Sequence, residues 1–269
     1  MYNLKRQAMM NAAIASLLMA APIARAESEP ETIKLPSPPA WSGDGWDIKL
    51  SGRVQYDYAQ ADAERASGFD VDDQEWRRVR LAVSGKVGSA IKYKAELNTN
   101  SSGDINAEDL FIEFAPSGAP KIKVGQFKTP NSLDEQTSSR FISTLERAAF
   151  TDAFQFNRRV GVSLSQSGDN YTLTGGVFAG NLEDGDQDQG FVAAARGTMQ
   201  RQLGEATVFH AGASVRYREQ GDEEGLARYR QRPYTHLPGR IISTGGIADQ
   251  DLFVGIEAAL ISGPYWAAG

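Results

Sequence analysis

The stretch Asp47-Ile48-Lys49-Leu50-Ser51-Gly52-Arg53-Val54-Gln55-Tyr56-Asp57-Tyr58 alternates between apolar and polar side chains, with only Gly52 interrupting the apolar series. Successive side chains of an extended chain point to opposite faces, so this pattern predicts a β-strand with one apolar and one polar face. The stretch is close in length to the roughly 9–11 residues with which a tilted strand crosses a bilayer.

The same period of two recurs along most of the chain. Clear runs have apolar positions at Val79–Val87, Ile91–Leu97, Val160–Leu164, Ala211–Tyr217 and Leu252–Leu260, and weaker runs cover residues 109–114, 121–127, 171–179 and 191–199. This count predicts about ten strands, with an eleventh beginning at Tyr265.

The connections between these runs alternate between short and long. Short, turn-forming joints are expected at 88–90, 116–120, 167–170, 200–204 and 262–264, and long links at 59–74, 99–107, 129–157, 180–189 and 219–249. Outer-membrane barrels have short periplasmic turns and long external loops, whereas a secreted antiparallel sandwich or lectin has no reason for this order. The pattern therefore favours an all-β fold, a transmembrane antiparallel β-barrel.

The N-terminus has the features of an export signal. Lys5 and Arg6 precede an alanine-rich apolar run, which ends in Ala24-Arg25-Ala26. We expect a cleaved signal peptide over 1–26, a Pro- and Ser-rich leader or tether over 27–45, and the barrel domain over 46–269. Export and the predicted barrel together predict the bacterial outer membrane as the location, with outer-membrane lipid around the strands.

Composition excludes several functions. The chain has a net charge of −6, two histidines and no cysteine, which argues against nucleic acid as a partner and against a metal centre. No catalytic constellation such as a Gly-x-Ser-x-Gly elbow is present. We therefore expect a protein that is not an enzyme and has no cofactor.

The charged face of each strand must point away from lipid, because lipid offers no partner for a charge. The residues predicted to face a wet interior are Lys49, Arg53, Arg78, Arg80, Lys92, Lys94, Arg159, Arg216 and Arg218. Acidic residues cluster instead in loops, at 70–75, 183–188 and 222–224. The sequence thus predicts a mostly basic interior that attracts anions.

Two long links carry candidate binding residues. Residues 129–157 contain Ser138-Ser139-Arg140 and a helix-like run over 141–149; the link either folds into the barrel and narrows it or remains a surface loop. Residues 228–233, Arg-Tyr-Arg-Gln-Arg-Pro, place three arginines at a spacing of two, an arrangement suited to passing an oxyanion along. The alternative is a solvated patch that pairs with residues 222–224. His236 is interpreted as incidental.

Several motifs in one order resemble a known family. Residues 75–81 (EWRRVRL), 124–130 (VGQFKTP), 135–140 (EQTSSR), 158–162 (RRVGV) and 228–233 are similar to the phosphate-selective porins O and P. The resemblance implies a homotrimer of sixteen-stranded barrels, each an anion channel narrowed by an inward-folded third loop. Because only ten or eleven strands are present, we expect a C-terminally truncated barrel.

The resemblance also implies roles for individual residues. Phosphate or other small anions would pass along an arginine ladder to a constriction; the ladder is Arg77, Arg78, Arg228, Arg230, Arg232 and the weaker candidate Arg240, and the constriction is Ser138, Ser139 and Arg140. Strand alternation places Arg77 on the lipid face, so we expect a strand end or a β-bulge there. The alternatives are a general or non-phosphate anion porin and a plugged structural barrel without transport.

Overall fold

The computed structural model describes residues 37–61, 70–99, 103–185, 190–222 and 225–269. The proposed signal peptide and residues 27–36 of the proposed leader lie outside them. The described residues form a 12-stranded antiparallel sheet in which each strand pairs with the next strand of that sheet along the chain. The prediction of an all-β antiparallel fold is confirmed.

The strands of this sheet differ widely in length, and some exceed the bilayer requirement. They are β1 (Ala40–Gly43), β2 (Trp46–Ala61), β3 (Val71–Val87), β4 (Ile91–Thr99), β5 (Ile105–Phe114), β6 (Lys121–Lys128), β7 (Arg158–Ser167), β8 (Tyr171–Phe178), β9 (Phe191–Gly204), β10 (Thr207–Glu219), β13 (Gln250–Ser262) and β14 (Tyr265–Ala268). A separate hairpin pairs β11 (Arg230–Gln231) with β12 (Ile242–Ser243). Two short helices, α1 (Leu133–Gln136) and α2 (Ala149–Ala153), lie between β6 and β7.

Short and long connections alternate along most of the sheet. Because neighbouring strands are antiparallel, the predicted short turns lie at one end of the sheet and the predicted long links at the other. Three details differ. The link predicted as long at 99–107 comprises only residues 100–104, fewer than the short joint at 115–120. The turn predicted at 200–204 is strand, and β9 turns instead at 205–206. Strand β1 lies inside the segment predicted as a tether and pairs with β2.

The sheet is open within this chain. Its edge strands are β1 and β14, and the described residues do not pair them with each other. A closed barrel is therefore not formed by these strands alone. No described helix has the length and apolar character needed to cross a membrane.

The two faces of the sheet differ as the sequence predicts. Apolar residues of the alternating runs are largely exposed on one face: Val254 is 69% and Ile256 is 88% exposed. On the other face the strand arginines Arg78, Arg159, Arg216 and Arg218 are buried. Lipid can cover the first face without desolvating a charge.

The interior face carries carboxylates beside many of its cations, which the list of predicted interior residues did not include. Carboxylates alternate with the cations across neighbouring strands, and three of each form a closed ring of ion pairs in the order Arg80, Glu96, Lys94, Asp109, Arg158, Glu108. Lys94 and Glu96 are two residues apart in β4, whereas the pairing of Glu96 with Arg80 and of Asp109 with Lys94 depends on the register of neighbouring strands. The positive charge available to an anion is therefore confined to fewer places than the sequence suggests.

The register shift predicted as one way to reorient Arg77 is present. Gln55 is opposite Arg78 and Tyr56 is opposite Trp76, so Arg77 is the extra residue of a bulge in β3. Trp76 is exposed on the apolar face and Arg78 is buried on the other, although they are two residues apart. The bulge lets Arg77 and Arg78 bind the same partner on the interior side.

Gly125 of β6 requires glycine for two reasons. Its φ of +127° is rarely adopted by other residues, and a Cβ atom there would meet the carbonyl of Leu110 on β5. We expect Gly125→Ala to destabilise the fold by about 1–3 kcal/mol, measured as a lower temperature of loss of the folded electrophoretic form. Gly175→Ala in β8 is the matched control, because its Cβ would make only ordinary contacts. Equal effects of the two changes would contradict this explanation.

Candidate functional site

Residues 129–157, which connect β6 to β7, lie against the charged face of the sheet. The segment begins with buried Asn131 and Ser132, and Ser132 Oγ accepts a hydrogen bond from the Glu135 amide at 3.3 Å. At its other end Arg216 of β10 donates to the Phe154 carbonyl at 2.6 Å, and Arg218 donates to Gln155 Oε1 at 2.7 Å. The segment therefore crosses the interior side and is not a surface loop.

The helix predicted over 141–149 is wrong. Residues 141–148 are irregular, and the two helices flank them instead. Arg147 donates to the carbonyls of Asp134 and Thr137, at 2.9 and 2.7 Å, and the Ala148 amide donates to the Asp134 carboxylate. A single helical turn has little stability of its own, so these contacts determine the conformation.

The buried carboxylate of Glu135 holds the segment to β6. Its oxygens lie 3.3 Å from Lys128 Nζ and 3.6 Å from Arg147 Nε. Burial raises the pKa of Glu135, while Lys128 and Arg147 act in the opposite direction. The carboxylate therefore depends on both cations to remain ionised in the interior.

Glu257 of β13 anchors the other side of the segment. It accepts hydrogen bonds from the Leu133 amide at 2.6 Å and from His210 Nε2 at 2.8 Å, and it forms an ion pair with Arg196. We expect Glu257→Gln to loosen the segment, because a neutral amide cannot satisfy three donors. The measurement is open-channel current noise, which should increase. Glu205→Gln, on an exposed short turn, should leave the noise unchanged; equal noise in both variants would contradict the anchoring role.

A cavity of about 640 Å³ lies between residues 138–140 and strands β2–β7. Five of the sequence-predicted residues line it: Arg77, Arg78, Ser138, Ser139 and Arg140. Arg53 of β2, assigned to the interior face but not to the constriction, donates to Ser139 Oγ at 2.9 Å. Neither Arg53 nor Arg140 forms an ion pair with any described residue, so this neck combines hydroxyl groups with two cations outside direct ion pairs. The carboxylates of Glu96 and Glu108 line the same cavity.

Arg77 and Arg78 share one carboxylate. Glu146 Oε1 lies 2.6 Å from Arg77 Nε, and its Oε2 lies 3.3 Å from Arg78 Nη2. Arg78 also donates to Gln55 Oε1 at 2.7 Å. These two arginines line both the large cavity and a smaller one of about 190 Å³, which also includes Arg232 and His236.

The arginines of the 219–249 link gather around Asp152 at the end of α2. Arg240 Nη2 lies 3.1 Å from Asp152 Oδ1, and the Arg232 amide donates to Oδ2 at 3.3 Å. Burial and the charge of Arg240 lower the pKa values of Arg230 and Arg232. Within the described part of the chain the guanidinium groups of Arg230 and Arg232 have no carboxylate in ion-pair contact. Arg228 is exposed and lines neither cavity.

His236 makes a contact that its position in the sequence did not predict. Its Nδ1 lies 2.9–3.0 Å from both oxygens of Glu75 in β3. Burial and the charges of Arg77 and Arg232 lower the pKa of His236, so the neutral imidazole donates from Nδ1 to Glu75. The contact joins the 219–249 link to the strand that carries Arg77.

The fold and this site together define a class of protein. An antiparallel sheet with an apolar outer face, a charged inner face and a long segment across that inner face is the arrangement of a porin.

The sequence comparisons give the family. A sequence model of the family "Phosphate-selective porin O and P" matches residues 48–268, and the chain belongs to that family. The chain is 33% identical to an uncharacterized protein of Caulobacter vibrioides over 265 residues, covering 92% of this chain and 52% of the relative. It is 27% identical to Porin O of Pseudomonas aeruginosa over 209 residues, 74% and 47% respectively. The chain thus spans about half the length of these relatives.

Proposed function

We propose that the protein is an outer-membrane channel for the passive diffusion of anions, with phosphate as the preferred ion. The observation that carries the proposal is the neck formed by Arg53, Ser139 and Arg140, where a hydroxyl group and guanidinium groups outside direct ion pairs share one cavity. Hydroxyls and guanidinium forks replace the water around an oxyanion, and guanidinium donates to phosphate through two parallel hydrogen bonds.

The approach to the neck supports the same function. Arg230 and Arg232 lie in the link at the long-loop end, and Arg232 shares a cavity with Arg77 and Arg78. Arg77 and Arg78 also line the neck cavity. A phosphate ion entering from the long-loop side would meet Arg228 first, then Arg230, Arg232 and Arg240, then the Arg77–Arg78 pair, and finally Ser138, Ser139 and Arg140.

The remaining parts of the proposal follow from family membership and the N-terminal sequence. Residues 1–26 would direct export and be removed, the apolar outer face would contact outer-membrane lipid, and three copies would assemble as a homotrimer. The charge ring that includes Arg80 lines the same cavity as the neck and would keep that part of the wall electrically neutral.

Swelling of proteoliposomes tests the proposal. Liposomes containing the protein and a potassium ionophore swell in iso-osmotic potassium salts only as fast as the anion enters. We expect faster entry of phosphate than of an organic anion of similar size. Equal rates for all small anions would indicate a general anion porin, and no swelling in any salt would indicate a plugged structural barrel.

A further inference from the structure

The arginine pair at the junction of the two cavities already holds an anion that belongs to the protein. The Glu146 carboxylate places one oxygen on Arg77 and the other on Arg78. This is the arrangement in which two guanidinium groups would hold two oxygens of a phosphate ion. Among the described ladder residues, only the guanidinium groups of Arg77 and Arg78 are bridged by one carboxylate. Arg240 forms its ion pair with a different carboxylate, that of Asp152.

Glu146 is ionised in this position. Burial acts to raise its pKa, but the hydrogen bond from Arg77 and the charges of Arg77 and Arg78 hold the pKa of Glu146 below its usual value. Its side chain is only 20% exposed, as is that of Arg77. The interaction is therefore partly shielded from solvent and is stronger than a surface ion pair.

The carboxylate can leave without unfolding the segment that carries it. Residues 141–148 are irregular, and the anchor lies in the next two residues, through Arg147 and the Ala148 amide. A rotation of the Glu146 side chain is sufficient to release both guanidinium groups. The Gln55 hydrogen bond retains Arg78 in place when this happens.

We propose that Glu146 is a resident counter-anion that competes with the transported ion for Arg77 and Arg78, and so shortens the time that each ion stays at this step. The inference rests on the proposed function, because it requires that anions visit the arginine pair. A channel must bind its ion well enough to admit it and weakly enough to release it. An ion binds the arginine pair only when Glu146 is displaced. Its apparent dissociation constant is therefore the intrinsic constant divided by the fraction of time that the pair is free.

The test uses Glu146→Gln and Glu146→Asp in the protein purified from outer membranes, with phosphate block of the chloride current in planar bilayers as the readout. Glutamine removes the competing charge, and aspartate keeps the charge but is one methylene too short to bridge both arginines. If Glu146 competes by contact, both variants lower the half-blocking phosphate concentration, by about three- to tenfold for Glu146→Gln, and both lengthen the blocked time. Sulfate block should change by a similar factor, because the displacement step is common to both ions.

Other results overturn the inference. If Glu146→Asp has the half-blocking phosphate concentration of the wild type and Glu146→Gln has a lower one, the carboxylate acts by long-range repulsion and not by competition. Weaker phosphate block in Glu146→Gln would mean that the residue is a structural clamp. Glu205→Gln controls for loss of a carboxylate elsewhere. If the wild-type chloride current is not blocked by phosphate at all, the proposed function fails, whereas a blocked wild type with unchanged variants refutes only the role of Glu146.

Discussion

Replacing Arg230 and Arg232 together with alanine is expected to raise the half-blocking phosphate concentration about tenfold and to lower the anion selectivity of the current. The reason is that neither guanidinium group has a carboxylate in ion-pair contact in the described residues, so their charge is available to an entering ion. A hydrogen bond to a charged group contributes roughly 1.5–3 kcal/mol, and about 1.4 kcal/mol corresponds to a tenfold change in affinity. The measurement is the reversal potential in a chloride gradient, together with the phosphate block.

Two controls make this result specific. Lys86→Ala with Arg201→Ala removes the same charge from exposed positions near the short-turn end of the sheet, and should change neither quantity. Arg230→Lys with Arg232→Lys keeps the charge but loses the planar fork, so an intermediate block is expected if phosphate is bound bidentately. If Arg230→Ala with Arg232→Ala has the same effect as Lys86→Ala with Arg201→Ala, residues 228–233 are only a solvated basic patch.

Asp251→Asn is expected to destabilise the protein by about 3–5 kcal/mol, because it leaves two buried guanidinium groups without a carboxylate partner. Asp251 Oδ1 lies 2.8 Å from Arg216 Nη2, and its Oδ2 accepts from Arg218 Nε at 2.8 Å. Arg216 is 2% exposed and Arg218 is 1% exposed. The same two arginines hold residues 154–155 against the sheet, so the crossing segment should loosen as the strand contact is lost.

Loss of the heat-modifiable folded form on electrophoresis, followed against temperature, measures this effect. Asp249→Asn is the matched control, since Asp249 is exposed in the same part of the chain. If Asp251→Asn unfolds at the same temperature as Asp249→Asn, the buried cluster does not support the fold as described.

The strands were predictable from the sequence because each has two faces in different surroundings. The alternation in residues 47–58 and 252–260 is present in the structure as outward apolar and inward polar side chains. Strand β1 was not predictable in the same way, because Ala40–Gly43 is too short to show a period. The bulge at Arg77 was one of two alternatives predicted from the sequence, because strict alternation would place this cation on the lipid face.

The pairing of the interior charges could not be read from the sequence. Whether Asp109 meets Lys94 depends on the register of β4 against β5, which a shift of one residue changes completely. Local helix preference over 141–149 failed for a related reason: Glu146 and Arg147 bind residues distant in sequence. The one signal for Glu146 was a carboxylate in a segment suspected of folding inward.

The measurement that tests the central claim most directly is the current carried by the wild-type protein, purified from outer membranes, in a planar bilayer under a potassium chloride gradient. The reversal potential is read before and after phosphate is added. The neck of Arg53, Ser138, Ser139 and Arg140 predicts anion selectivity and a chloride current that phosphate blocks at concentrations well below that of chloride. A cation-selective current, or a chloride current that phosphate leaves unchanged, would contradict the account.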